Sequence, residues 1–161
     1  MSRRSPHTLD GDLRDRIAAR LGEGDLRFTR GREALVTVLA LATRPLTIPE
    51  ICAADDSLAA SSAYRNLTGL EAVGVVHRIV TDAEFARYEL AEGLTDHHHH
   101  HLICSRCGVV DDVEASPSLE RAVHDAARAI ARRSGFRMER HSVDLIGICA
   151  NCSRRASSSA R

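Results

Sequence analysis

The chain has 161 residues, of which 22 are basic, 22 are acidic and only 3% are aromatic, so its formal net charge is zero. This balance lacks the strongly basic surface by which many nucleic-acid-binding proteins are recognised. The longest apolar stretch, near residues 34–42, is much shorter than the ~20 residues of a membrane-spanning helix. The residues after Met1 show no apolar segment of the kind found in secretory signals, and we expect no membrane partner.

Length and cysteine usage predict how such a chain is stabilised. A chain of this length can form two small modules, and because small cores are marginal, a metal ion or a dimer interface should assist them. Four of the five cysteines form two Cys-x-x-Cys pairs. This pattern favours metal ligation in a reducing compartment over disulfide bonds. We therefore expect a cytoplasmic location.

The first half of the chain shows helical periodicity. Apolar residues recur at three- and four-residue spacing within residues 13–21, 34–42 and 63–73, which predicts three amphipathic helices. Between the second and the third of these, Thr47 and Glu50 form the capping-box pattern that opens a further short helix. Four helices are therefore expected before residue 74.

Two strands are expected after the helices. Residues 75–80 and 85–90 are rich in Val, Ile, Phe and Tyr, and the polar residues 81–84 between them predict a hairpin. Several helices followed by a hairpin is the order of a winged helix-turn-helix. We therefore predict that residues 1–90 form a winged-helix domain and that residues 91–96 form a hinge.

The remainder of the chain has a different pattern. Strands are expected on both sides of the first cysteine pair, followed by a helix from Pro117 to about Ser134. A last strand over residues 140–149 should turn Val143 and Leu145 inward, and the pattern leaves Ile148 open. These elements predict a second, small α/β module over residues 97–152, and an α+β protein as a whole. Residues 153–161 contain only Ser, Arg and Ala and are expected to be a disordered tail.

The two Cys-x-x-Cys pairs carry the strongest chemical signal. Two cysteines at this spacing reach one ion from a tight turn, and four thiolates favour tetrahedral Zn²⁺ with no open coordination position. We predict a structural zinc that pins the last strand to the first pair. A redox-active or metal-free pair is the alternative, and two such units disfavour it. The predicted ligands are Cys104, Cys107, Cys149 and Cys152. The fifth cysteine, Cys52, fits a buried apolar position.

Five consecutive histidines occupy positions 97–101, directly before the first cysteine pair. This internal position argues against a purification tag. In a strand, alternate side chains point to opposite faces, so His99 and His101 would share one face. His98 and His100 would share the other. Each pair needs further ligands to hold a divalent ion. The candidates for these further ligands are His77, Glu89, Glu120 and His141.

The last helix of the first half has a polar face opposite its apolar stripe. In a helix-turn-helix the second helix enters the major groove. Arg65 suits a guanine contact there, and Tyr64 suits a thymine methyl or a phosphate. Arginines near the second helix could hold phosphates, although an ordinary solvated face shows the same pattern. The predicted DNA-contacting residues are Ser61, Ser62, Tyr64, Arg65, Thr68, Arg27, Arg30 and Arg32.

Three segments together resemble the ferric uptake regulator family of bacterial metalloregulators (Fur, Zur and PerR types). They are His97-His-His-His-His-Leu-Ile-Cys-Ser-Arg-Cys-Gly108, Ser62-Ala-Tyr-Arg-Asn-Leu67, and Arg140-His-Ser-Val with Gly147-Ile-Cys-Ala-Asn-Cys152. The resemblance covers roughly residues 27–152. It implies a winged helix joined to an α/β dimerisation domain. It also implies a homodimer that binds palindromic double-stranded operator DNA and represses genes when its sensing site holds metal.

The resemblance further implies which residues bind metal. It assigns the structural zinc to the four paired cysteines. It assigns a sensing site at the hinge to His77, Glu89, His99 and His101. It assigns a further site to His98, His100, Glu120 and His141, and leaves open whether Asp111 or Asp112 joins a site. The sensing ligands are nitrogen and oxygen donors, which accept Mn²⁺ or Ni²⁺ as well as the expected Zn²⁺ or Fe²⁺.

Several functions are compatible with these features. The preferred interpretation is a metal-gated repressor that controls zinc or iron uptake, and a metal-dependent peroxide-stress sensor of the same family is its alternative. A zinc enzyme would need an open metal position, a bound water and a general base. No motif or substrate-pocket signature of that kind is present, so we expect neither catalysis nor a small-molecule substrate. A histidine-rich metal-storage or chaperone protein would leave the helix at 62–67 and the wing unexplained.

Overall fold

The computed structural model describes residues 9–81, 85–95, 98–114 and 116–158. The elements in chain order are α1 (Gly11–Glu23), α2 (Arg30–Leu41), β1 (Leu46–Thr47), α3 (Ile48–Ala54), α4 (Ala60–Ala72), β2 (Val76–Ile79), β3 (Arg87–Leu90), α5 (Glu92–Thr95), β4 (His100–Cys104), β5 (Val110–Val113), α6 (Pro117–Ser134), β6 (Asp144–Gly147) and α7 (Ala150–Ser158). Within the described ranges, no helix has both the length and the apolar character needed to cross a bilayer. The predicted α+β architecture is confirmed. Most of the predicted turn at 81–84 lies outside the described residues.

The N-terminal helices begin where side chains cap them. The Thr29 side chain accepts the backbone N–H of Arg32 at the start of α2. Thr47 and Glu50 form a reciprocal capping box at the start of α3, which satisfies backbone donors that have no partner within the helix. Helix α4 ends before Gly74, whose φ of +70° is left-handed. The helices predicted from these patterns are therefore confirmed.

The N-terminal core joins these helices to a small sheet. Each of the four helices contributes fully buried side chains to one cluster, among them Ile17, Leu35, Ile51 and Leu67. Burial of such a side chain contributes about 1.5–3 kcal/mol. The sheet is antiparallel with the order β1-β3-β2, so the predicted wing has β3 at its centre. Its register sets Glu89 of β3 opposite His77 of β2.

The second sheet has the order β5-β4-β6, and it presents the histidines on its central strand. Strand β4 pairs antiparallel with β5 and parallel with β6, which returns after the long helix α6. His101 therefore lies opposite Asp112 on one side and opposite Asp144 on the other. Helix α6 is capped by Ser116 and ends at Gly135, as the sequence predicts. Both neighbours of β4 thus bring acidic residues to the histidines.

Two segments are more ordered than the sequence predicts. The predicted hinge at 91–96 contains the helical turn α5, whose Leu94 is only 4% exposed within the N-terminal core. The predicted disordered tail is wrong as far as Ser158, because α7 continues through it. The helix begins at the second cysteine pair, where the N–H of Ser153 donates to the carbonyl of Cys149. Alanine and arginine then favour continuation of the helix.

Val143 and Leu145 of the last strand are predicted to face inward; Val143 is half-buried, but the prediction is wrong for Leu145 in the single chain. Leu145 is 52% exposed, Ile146 is 70% exposed and Ile148, just after β6, is 54% exposed. The physical reason is that β6 is an edge strand whose faces no described element of this chain covers. Helix α6 likewise has no buried side chain among the described residues.

Arg87 of β3 ties the winged helix to the first cysteine turn. Its guanidinium donates to the carbonyl of Pro45 at 3.2 Å and to the carboxylate of Glu50 at 3.0 Å. Its Nε donates to the carbonyl of Gly108, next to the cysteine pair. Burial alone would raise the pKa of Glu50, but hydrogen bonds from Arg44 and other neighbours outweigh it and lower the pKa to about 2. The two modules are therefore joined by an ionised, hydrogen-bonded contact.

Candidate metal centres

Four sulfurs meet where β4 and β6 end. One ligand atom from each of Cys104, Cys107, Cys149 and Cys152 lies within 4.8 Å of the others. The Sγ atoms of Cys107 and Cys149 are 3.8 Å apart. Zinc–sulfur bonds of ~2.3 Å place the sulfurs of a tetrahedral site about 3.8 Å apart. The four cysteines are thus brought together with the spacing that a zinc ion requires.

The electrostatics of this cluster also suit a dication. The backbone N–H groups of Cys149 and Cys107 lower the pKa of the Cys104 thiol to about 6. A hydrogen bond with Cys107, together with burial and the neighbouring thiols, raises the pKa of Cys152 to about 12. The Cys104 thiolate therefore forms readily, whereas the Cys152 thiol stays protonated until a cation arrives, because a coordinating thiol gives up its proton.

A second cluster surrounds Glu89, which belongs to the wing. Its Oε2 lies 3.1 Å from Nε2 of His99, and its Oε1 lies 3.2 Å from Nε2 of His101. Ligand atoms of these residues and Asp112 all lie within 4.8 Å of one another. Donors that share one ion at ~2.1 Å are separated by about 3.0–3.4 Å. The cluster therefore has the spacing of a coordination shell, and it spans both sheets.

Ion pairing holds this cluster together when no cation is bound. Burial alone would raise the pKa of Glu89, but hydrogen bonds from His101, His77 and His99 outweigh it and lower the pKa to about 2. Burial alone would lower the pKa of His101, but the hydrogen bond and the charge of Glu89, with those of Asp144, raise it to about 9. At neutral pH the protonated His101 therefore supplies the positive charge beside Glu89 that a bound metal ion would otherwise supply.

The structure places Asp112 inside this cluster and His77 at its edge. Asp112, whose participation the sequence leaves open, has its Oδ1 3.9 Å from Nε2 of His99. Residues directly opposite on neighbouring strands share a face, and Asp112 lies opposite His101. His77 contacts Glu89 at 3.0 Å but is not among the four residues whose ligand atoms are mutually close. One of the predicted sensing ligands is thus an outer neighbour of the carboxylate.

A third cluster contains the four residues predicted for the further site. The Nε2 atoms of His98 and His141 are 3.1 Å apart, and they lie 3.4 Å and 3.1 Å from the carboxylate of Glu120. Nε2 of His100 lies 2.9 Å from the same carboxylate. Burial alone would raise the pKa of Glu120, but the surrounding histidines outweigh it and lower the pKa. Successive histidines thus serve opposite clusters, as the alternation predicts, although only His100 and His101 belong to β4. His97 lies outside the described residues.

Glu92, the first residue of α5, was missed by the sequence analysis. Its Oε2 lies 3.1 Å from Nδ1 of His98, and its Oε1 accepts the backbone N–H of His99 at 3.1 Å. The pattern predicted only a linker at this position, so no role followed for an isolated acidic residue. The sequence signal that could have identified Glu92 is its position as an acidic residue five places before the histidine run.

The predicted DNA-contacting side chains fall into two groups. On α4, Tyr64 is 58% exposed and its predicted partners on the helix are exposed or half-buried. Arg27 and Arg30 are also exposed. Arg32 is half-buried, and its Nη1 donates to the carbonyl of Arg27 at 2.6 Å. Arg32 therefore holds the segment before α2 in place, and its phosphate contact stays a prediction.

Comparison with known protein sequences identifies relatives of the whole arrangement. A model of the ferric uptake regulator family matches residues 23–146. The chain is 30% identical over 143 residues to the ferric uptake regulation protein of Bacillus subtilis strain 168, an alignment that covers 86% of this chain and 93% of that protein. It is 34% identical over 92 residues to the Legionella pneumophila ferric uptake regulation protein. That alignment covers 57% of this chain and 62% of the relative, which is less than two thirds of the relative's length.

The fold has solved counterparts as well. The Helicobacter pylori ferric uptake regulator Fur, whose structure revealed three functional metal-binding sites, superposes with a TM-score of 0.68 at 25% identity. The superposition covers 88% of this chain and 91% of the Helicobacter chain. Both modules therefore have a counterpart in a single solved protein.

Proposed function

Because this chain belongs to the ferric uptake regulator family, we propose that it is a metal-dependent transcriptional repressor that binds palindromic operator DNA as a homodimer. The observation that carries the proposal is the cluster in which Glu89 of the wing meets His99 and His101 of the second module. An ion bound by both modules favours the arrangement of the modules for which it has the higher affinity. The size of this effect is set by the difference in its affinity for the two arrangements. DNA binding that requires occupancy of this cluster is the test.

Three metal sites are proposed for the chain. The three functional metal-binding sites of the Helicobacter relative support this number. We assign a structural zinc to the four cysteines. The sensing site consists of Glu89, His99, His101 and Asp112, with His77 orienting the carboxylate. The further site consists of His98, His100, Glu120 and His141. The nitrogen and oxygen donors of the sensing site suit Zn²⁺ or Fe²⁺, and also accept Mn²⁺ or Ni²⁺.

Helix α4 is proposed as the DNA-contacting helix. Its N-cap residue, Ala59, makes no side-chain hydrogen bond to the first turn, which leaves backbone N–H groups for a phosphate. Arg65 and Tyr64 are exposed on the same helix, where they suit base edges and a thymine methyl. Because the net charge of the chain is zero, nonspecific attraction to DNA is weak and the two-fold symmetric contact supplies affinity.

Replacing Arg65 tests this helix directly. A well-made base contact is worth ~1–3 kcal/mol, and a dimer loses it at both half-sites, so Arg65→Ala should weaken operator binding about 30-fold or more. Zinc content and dimerisation should not change. Fluorescence anisotropy with a labelled operator duplex measures the loss. Arg137→Ala, an exposed arginine of the second module, is the matched control. Equal affinities for Arg65→Ala and Arg137→Ala would place DNA recognition elsewhere.

The second module is proposed as the dimerisation domain. Large apolar side chains of this module are exposed in the single chain, namely Leu102, Ile130, Phe136, Leu145, Ile146 and Ile148. Large exposed apolar side chains in this number are typical of a protein–protein interface. A second copy of the chain would cover it and would place two α4 helices on successive half-sites.

The chain is proposed to act as a regulator in the cytoplasm, where its DNA lies, and not as an enzyme. Its relatives are regulation proteins. The cysteine cluster provides four thiolates, which complete a tetrahedral zinc shell and leave no position for a substrate. The histidine clusters each offer four donor residues, one of them exposed in each cluster and the others buried or half-buried. Metal-dependent DNA binding separates this proposal from metal storage.

The raised pKa of His101 predicts that metal binding at the sensing site releases a proton. At pH 7 this imidazole is protonated because its pKa is about 9, and coordination requires its nitrogen lone pair. Metal affinity should therefore rise with pH up to about 9 and level off above it. Calorimetric titration with Zn²⁺ in two buffers of different ionisation enthalpy counts the protons. The further site is removed by His141→Ala for this measurement, so that only the sensing site binds the added zinc. Identical heats in both buffers at pH 7 would contradict the ion-paired state.

A further inference from the structure

We propose that Glu92 is a positioning residue that couples the two histidine sites, so that metal bound at one raises the affinity of the other. One of its carboxylate oxygens contacts His98, a ligand of the further site, and the other holds the backbone of His99, a ligand of the sensing site. The inference rests on the proposed assignment of metals to these clusters. It adds a connection between sites whose ligand residues are otherwise distinct.

The contact with His98 sets the orientation of that ring. Glu92 is acceptor-only as a carboxylate, so Nδ1 of His98 carries the proton and donates it. The lone pair is then on Nε2, which faces His141 at 3.1 Å and Glu120 at 3.4 Å. Metal-binding histidines commonly donate their other N–H to a carboxylate, which fixes the tautomer and makes the ligand more basic. Glu92 is therefore an outer partner of the further site.

The contact with His99 acts on the backbone of the other site. Oε1 of Glu92 accepts the N–H of His99 at 3.1 Å, just before β4 begins at His100. The imidazole of His99 is 15% exposed and points to Glu89 at 3.1 Å. Moving or releasing Glu92 would therefore shift the strand position from which His99 reaches the sensing cluster.

Glu92 is itself anchored to the winged-helix module. It opens α5, whose Leu94 is 4% exposed in the N-terminal core. Arg16 of α1 donates to the carbonyl of Gly93 at 3.3 Å. Occupancy of the further site is therefore transmitted to the N-terminal module through His98 and Glu92, although the ligands of that site all lie in the second module.

The sign of the coupling follows from these contacts. Coordination through Nε2 withdraws electron density from the His98 ring, and its Nδ1–H becomes a stronger donor to Glu92. The carboxylate is then held in the position that also fixes His99, so less ordering remains for the second ion. The negative charge of Glu92 between the clusters also offsets repulsion between two dications. Filling one site should raise the affinity of the other about tenfold, within the usual range of site–site coupling.

Zinc titration calorimetry on the dimer with its cysteine site already loaded tests the proposal. The affinity of the sensing site is measured with the further site intact and with that site removed by His141→Ala. Removal should weaken zinc binding at the sensing site about tenfold in the Glu92 background. In Glu92→Gln this removal should have no effect, because the two contacts use different carboxylate oxygens and the amide replaces one of them with an NH2 group, which cannot accept a hydrogen bond.

The matched control is Glu139→Gln, which makes the same charge change at an exposed residue paired with Arg137. It should preserve the tenfold dependence. A Glu92→Gln protein with undiminished coupling, or a wild type with independent sites, would overturn the inference and leave the proposed function intact. If every variant holds only the one zinc per chain of the cysteine site, the inference and the proposed function would both be overturned. A uniform loss of affinity in Glu92→Gln, with coupling retained, would assign Glu92 a structural role only and also contradict the proposal.

Discussion

Cys149→Ser should yield a protein that has lost its tightly bound zinc and much of its second module. Cys149 follows β6, an edge strand held by β4 on one side and by the cysteine cluster at its end. Structural zinc sites supply apparent binding energies on the order of 10 kcal/mol, comparable to the ~5–15 kcal/mol stability of a whole domain. We therefore expect loss of a cooperative unfolding transition for this module, and dissociation of the dimer.

Zinc content by elemental analysis, thermal unfolding and sedimentation velocity measure these effects. Cys52→Ser is the control, because Cys52 packs against the N-terminal core and lies outside the cluster. This variant should keep one zinc per chain in the four-cysteine site and should remain a dimer. Its free energy of unfolding should fall by about 1 kcal/mol. A Cys149→Ser protein that remains a dimer with native unfolding behaviour would show that the cluster does not hold the fold.

His101→Ala should stay folded and dimeric and should keep the zinc of its four-cysteine site. It should nevertheless bind operator no better with added metal than with chelator. His101 is 3% exposed and links Glu89 of the wing with Asp144 of β6, so its loss separates the modules at the sensing cluster. Coupling of ~1–3 kcal/mol per site is typical of allosteric proteins. Two sites in a dimer would then change operator affinity by roughly 100-fold or more, and this whole response should vanish.

The comparison variant is His124→Ala on α6, a histidine that is exposed and outside the described metal clusters. It should retain the full metal response. His98→Ala should weaken the response less than His101→Ala, since its imidazole contributes to gating only through Glu92. If His101→Ala still binds operator in a fully metal-dependent manner, the sensing site lies elsewhere.

Much of this architecture was predictable, because local rules decide it. The capping box at Thr47, the left-handed glycine after α4 and the proline-opened helix at Pro117 each depend on a few neighbouring residues. The cysteine cluster followed from spacing, since two tight pairs have few chemically sensible arrangements. The division of the histidines between two clusters followed from the alternation of side chains along a strand.

Other features depend on register and tertiary contact, which the sequence pattern does not specify. Asp112 could be distinguished from Asp111 only once β5 was paired with β4. Glu92 acquired a role when the expected linker folded into α5 against the N-terminal core. His77 reaches Glu89 across one strand pair but stops short of the cluster. Leu145 is exposed in the single chain, and the sequence pattern does not specify whether an apolar residue is covered by its own chain or, as in the proposed dimer, by a second copy.

The most direct test of the proposed function is selection of DNA by the zinc-clasped dimer from a random duplex library, followed by affinity measurements on the recovered sequence. The proposal predicts that a palindromic sequence is recovered when Zn²⁺ or Fe²⁺ is supplied. It also predicts that this duplex binds roughly 100-fold or more tightly with metal than with a chelator that spares the cysteine site. Equal affinity in metal and in chelator, or no enrichment of any sequence, would contradict metal-gated DNA binding.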